Sequence, residues 1–218
     1  MKILPKIKNK NSGFTLIEMA VVLGIFLLIS GLIIFNYSDF HSNVSLENLA
    51  QDVALNIRRA QSYATGSKGA GAEFPGYGIH FNTDSNFVTQ HSGGPKSFIF
   101  FADLASSPVP SGYPIYDESN VRKECGYDNL IGGNECIEDI TINSTDIINE
   151  ICLNGSSCVP GTLDIVFTRP DPDPTFCFLP TGSSMCAGSV SSASIHLISV
   201  TGKEKVITVW NTGQINTE

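Results

Sequence analysis

Glu18 is the single charge in the run Phe14 to Phe35, FTLIEMAVVLGIFLLISGLIIF, which is otherwise almost wholly apolar. A carboxylate so placed costs up to about 2.5–3.5 kcal/mol at the middle of a membrane and less near its edge, so it demands a reason. The cysteines form a second chemically able set: Cys125, Cys136, Cys152, Cys158, Cys177 and Cys186, all in the C-terminal half. An even number of cysteines downstream of a membrane segment suggests disulfides made in an oxidising compartment. Pairing of sequence neighbours would join 125 to 136, 152 to 158 and 177 to 186, but six cysteines allow fifteen connectivities and spacing does not choose among them. Zinc is disfavoured, because C-x-x-C is absent and His41, His80, His91 and His196 do not cluster with the thiols along the chain.

Other chemistries find less. Asp103, Asp117, Glu118, Asp171 and Asp173 could offer oxygen to calcium, yet none has EF-hand spacing and solvated loop acids are the plainer reading. The chain lacks G-x-S-x-G, HExxH and a glycine-rich phosphate loop, so neither an enzyme nor a bound cofactor or metal is expected. Of the thirteen Lys and Arg residues, four precede the apolar run, leaving nine against twenty-one acids in the rest. Such a body repels a polyanion, and the Arg122-Lys123 pair is followed at once by Glu124, so nucleic acid is not an expected partner.

The elements that position Glu18 and the cysteines follow from periodicity. Twenty-two residues of helix rise about 33 Å, enough to cross a hydrocarbon core of about 30 Å, so 14–35 is predicted to be a transmembrane helix embedded in membrane lipid. Lys2, Lys6, Lys8 and Lys10 before it, with no basic cluster just after it, place the N-terminus in the cytoplasm and the remainder outside. A cleaved signal peptide fits less well, since the run exceeds the usual 7–15 apolar residues and ends without a small-x-small site. Further on, Leu46, Leu49, Ala50, Val53, Ala54, Ile57, Ala60 and Ala64 recur at steps of three and four, which predicts an amphipathic continuation over 36–65. The glycines at 66, 69 and 71 should end it.

Beyond residue 66 the period becomes two. Strands are predicted at Tyr77–Phe81, Phe87–Gln90, Ser97–Phe101, Ile140–Ile142, Thr162–Thr168, Thr175–Leu179, Ser194–Val200 and Lys205–Trp210, with hairpins closing the first and last pairs. Prolines alternating with acids in Arg169-Pro170-Asp171-Pro172-Asp173-Pro174 predict an extended loop. The fold class is α+β, a long N-terminal helix packed on antiparallel sheet. Residues 66–218 form an extracytoplasmic globular body, and 103–161 read as long disulfide-bearing loops.

The string GFTLIEMAVVLGIF, Gly13 to Phe26, closely resembles the processing site of type IV prepilins and type II secretion pseudopilins. That resemblance implies a basic leader over 1–13, cleavage by a prepilin peptidase between Gly13 and Phe14, and N-methylation of Phe14. It also implies a filament-assembly role for Glu18, whose charge would meet the N-terminal amine of a neighbouring subunit. The strings Leu163 to Pro170, Ile195 to Ile198, Val206 to Val209 and Thr212 to Ile215 resemble the terminal strands of GspH/FimT-like pseudopilins and minor pilins. The expected partners are other pilin or pseudopilin subunits and an inner-membrane assembly platform. The alternative is an adhesin-like binding subunit at a filament tip. One departure stands out: many relatives carry a proline at the position of Phe35, whereas here no proline lies between Pro5 and Pro75.

Overall fold

A computed structural model describes residues 13–66, 68–69, 76–84, 93–104, 116, 125–126, 135–155, 157–180 and 190–218. The leader 1–12, the strand expected at Phe87–Gln90, Asp117, Glu118, Arg122 to Glu124 and Cys186 lie outside the described residues.

One helix, α1, runs from Leu16 to Thr65, fifty residues. Its helical hydrogen-bonding continues through Gly24, Gly31 and Phe35, in keeping with the missing proline. Two compact units divide the chain, 1–41 and 42–218. In the first, the apolar stretch Leu16–Ile34 buries none of its residues. In the second, all eight positions of the expected stripe are buried, with Ala50, Val53, Ile57 and Ala60 at 0% exposure. Four of the eight are alanines, which let strand backbones approach the helix closely.

The rest of the second unit is two antiparallel five-stranded sheets. The first contains β1 (Gly76–Asn82), β2 (Ser97–Asp103), β3 (Cys136–Thr141), β6 (Gly161–Phe167) and β7 (Pro174–Pro180), in the order β3-β2-β1-β6-β7. The second contains β4 (Ile147–Leu153), β5 (Ser157–Val159), β8 (Ser192–Ile198), β9 (Glu204–Trp210) and β10 (Ile215–Thr217), in the order β10-β9-β8-β4-β5. One core joins the helix stripe to both sheets, with Tyr77, Phe81, Phe98, Phe100, Phe167 and Phe178 from the first and Ile151, Ile195, Leu197, Ile207 and Val209 from the second. The α+β expectation holds.

Strand β2 reads FIFFA with every residue buried, because both faces of the first sheet are covered. Phe98 and Phe100 enter the main core, whereas Ile99 and Phe101 join Val166, Tyr116 and Cys136 in a second cluster on the opposite face. Gly78 faces that cluster: a Cβ there would stand 2.7 Å from the Phe101 ring and 2.8 Å from the Ile165 carbonyl oxygen, so the close stacking needs glycine.

Two expectations change. The stretch 103–161, read as long loops, contributes β3, β4 and β5, and β4 sends Ile148 and Ile151 into the core. A register irregularity between Ile148 and Glu150 breaks the alternation that would have marked β4 in the sequence. Strand β1 pairs antiparallel with β2 and with β6, while the 87–90 run expected to close its hairpin lies outside the described residues. The Arg169-to-Pro174 segment is a turn rather than an extended loop. Its Arg169–Pro170 bond is cis, Asp171 N–H donates to the Thr168 carbonyl at 3.1 Å, and β6 and β7 are thereby joined as neighbours.

Candidate functional site

At the start of α1, Thr15 and Glu18 hold each other. The backbone N–H and the hydroxyl of Thr15 both donate to Glu18 Oε2, at 2.8 and 2.7 Å, and the Glu18 N–H returns a longer bond of 3.3 Å to Thr15 Oγ1. This is a capping box, a threonine at the N-cap and a glutamate three residues on, which satisfies donors that a helix start leaves orphaned. Both Thr15 bonds converge on Oε2, so Oε1 has no partner among the described residues. Phe14 is 83% exposed, and a Cβ at Gly13 would meet nothing within 4 Å. The Gly13–Phe14 bond is therefore accessible and free of the fold. Beyond it Leu16, Ile17, Val21, Val22 and their successors to Ile34 present apolar surface on every side of the helix, which only lipid or other protein can cover.

Residues 8–34 match the family model for the prokaryotic N-terminal methylation motif. The chain therefore carries the N-terminal motif of prepilins, which supports a type IV pilin-like protein. No curated protein and no solved structure matches it. The motif implies processing by prepilin peptidase and assembly with other pilins, and the apolar helix fits the single-pass anchor of a prepilin.

In the sheet-bearing body the cysteines serve structure. Cys125 bonds to Cys136 and Cys152 to Cys158, two of the sequence-neighbour pairs. Cys177 is also disulfide-bonded, and its partner lies outside the described residues. Cys125–Cys136 closes a segment against the outer face of the first sheet, where Phe101 and Tyr116 meet at 5.3 Å. Cys152 and Cys158 are directly opposed residues of β4 and β5 and lock that edge hairpin.

The sequence leaves two further polar groupings unmarked. His80 Nδ1 and Asp164 Oδ1 lie 2.7 Å apart on the adjacent strands β1 and β6, both nearly fully buried, with the His80 ring 4.9 Å from that of Tyr116. Buried partners of this kind satisfy each other's polarity and add specificity to the sheet pairing. His196, separated from every cysteine along the sequence, comes within 3.1 Å of Cys152 Sγ through its Nε2 because β8 pairs with β4. One histidine, His196, does therefore meet sulfur in space.

Asp103, considered for calcium, carries a different signature. Burial first, and the nearby Asp164 charge second, raise its pKa from 3.8 to about 6. Between those two values the folded state binds more protons than the unfolded state, so stability falls as pH rises through that window. The cost is absent below about pH 4 and complete above about pH 6. At about 1.4 kcal/mol per pH unit, discounted for solvent screening, it amounts to ~1–2 kcal/mol. Asp103→Asn should accordingly be more stable than the wild type by that amount at pH 7.5 and equal to it at pH 3.5. Urea unfolding at the two pH values reads the difference, and an equal gain at both would refute the ionisation argument.

Proposed function

We propose that this chain is a structural subunit, a minor pilin or pseudopilin of the GspH/FimT-like kind, in a type IV pilus, a type II secretion system or a related filament. The leader is removed between Gly13 and Phe14, and Phe14 becomes the methylated N-terminus. The helix then leaves lipid for a bundle of neighbouring helices. The basic leader fixes the cytoplasmic end, so the sheet body faces outward before and after assembly.

The observation that carries this reading is the half-engaged carboxylate of Glu18. Its Oε2 is held by Thr15, which sets the rotamer, and its Oε1 is left open on an uncovered apolar helix. An ammonium on a neighbour's Phe14 would give that oxygen a charge-assisted bond. The two ions, each costly alone in an oily bundle, would neutralise one another. The capping box thus presents the acid for docking rather than consuming it.

Intact mass of the native chain tests the processing step, and shearing of filaments from cells tests the assembly step. The expected species begins at Phe14, carries one added methyl group and appears in the sheared fraction. A chain beginning at Met1, or one that never leaves the membrane fraction, would overturn the proposal.

A further inference from the structure

We propose that Glu150, His196 and Glu204 form a site for a first-row divalent transition metal, Zn2+ in the first instance, on the outer face of the second sheet. Three strands supply the donors, β4, β8 and β9. On β8 the residues Ala193, Ile195 and Leu197 point into the core at 0% exposure, so His196 stands on the opposite face. Glu150 is its direct partner across β4. Regular alternation from the buried Ile148 would turn residue 150 toward the core. The register shift between Ile148 and Glu150 instead places Glu150 alongside His196, the kind of re-aiming a bulge performs next to a site. From the other side, Glu204 Oε1 contacts His196 Nδ1 directly.

One donor atom from each of the three residues lies within 4.8 Å of the other two, close enough for a single ion to touch all three. Two carboxylates so near each other repel, and among the described residues no lysine or arginine pairs with either. Of the two lysines that flank Glu204 in sequence, Lys203 and Lys205, the second is turned to Glu47 at 2.8 Å. A bound dication would supply the missing positive charge. The imidazole is held from behind, with Nε2 3.1 Å from Cys152 Sγ, leaving Nδ1 aimed at the carboxylates. Outer contacts of this sort fix the ring orientation that a metal requires.

The donor set also chooses the class of ion. Cys152 is committed to its disulfide with Cys158, so its sulfur is no thiolate ligand, and the soft ions that prefer thiolate are disfavoured. A nitrogen donor among the oxygens favours Zn2+ and its neighbours over Ca2+ and Mg2+, which take oxygen shells. Three protein donors on a partly exposed sheet face leave a fourth position for water, the arrangement of an open zinc site.

The test uses the full-length, untagged chain in detergent micelles, titrated with ZnCl2 by calorimetry and followed by thermal unfolding. One Zn2+ should bind per chain and raise the unfolding temperature, while CaCl2 at the same concentrations should do neither. Glu150→Gln and Glu204→Gln keep shape and hydrogen-bonding capacity. Each should weaken Zn2+ binding at least about tenfold while leaving the metal-free unfolding temperature unchanged. Asp171→Asn, on a remote exposed turn, should leave the affinity untouched. Absence of Zn2+ binding, or an affinity unaltered in either glutamine variant, would overturn the three-residue site.

Discussion

Replacing Gly13 by leucine is expected to leave a native polypeptide of full length, beginning at Met1, where the parent on the proposed cleavage would begin at Phe14. The cause lies outside the fold. A Cβ at residue 13 meets nothing within 4 Å, and the first helical residue is Leu16, so leucine costs the protein itself no packing and no cap. What it changes is the surface offered to a peptidase, because a bulky side chain then stands immediately before the proposed scissile bond. The effect should be close to complete: precursor in the membrane fraction, no mature chain, and no filament-borne material. Its body should unfold in urea like the parent's. A mature mass equal to that of the parent would remove the proposed cleavage site.

Glu18→Ala has the second large effect, and Glu18→Gln explains it. Alanine removes both the cap and the charge, while glutamine keeps a capping box and loses only the charge. Stranding one partner of a buried ion pair costs about 3–5 kcal/mol, at about 1.4 kcal/mol per factor of ten. Incorporation of either variant into filaments should therefore fall by at least about a hundredfold. Membrane insertion should be normal, because each variant makes the helix more apolar. Carbonate extraction reports insertion, and immunoblotting of sheared filaments reports incorporation. If Glu18→Gln assembles like the parent while Glu18→Ala does not, the carboxylate serves only to start the helix, and the pairing with a neighbour's amine is wrong.

How much could be read from the sequence depended on the range of the interactions concerned. The helix stripe from Leu46 to Ala64 was fully legible, since each buried position repeats the 3.6-residue period against a featureless polar background. Strands β8 and β9 and their hairpin were legible for the same local reason. Strand β4 was not, because a bulge interrupts the alternation of Ile147 to Leu153, and β5 is only three residues long. The capping box was present in the sequence as Thr15-x-x-Glu18, but the resemblance to prepilins directs Glu18 toward a neighbouring subunit's amine instead. Only the atomic arrangement separates the two oxygens, one serving the helix start and one left open. The cluster around His196 depends on the register of the β8–β9 hairpin against β4, which is distant along the chain, and no short-range pattern encodes that pairing.

The cover over Ile99, Phe101 and Val166 carries a consequence for how this body must be made. The described part of that cover, Tyr116 and Cys125, belongs to neither sheet and is tied to the strands through the bond from Cys125 to Cys136. In a thiol-rich cell interior the tie stays open, and water and other chains can reach an aromatic face that the finished body hides. Solubility, more than any midpoint of unfolding, should then report whether the protein was produced on the correct side of a membrane.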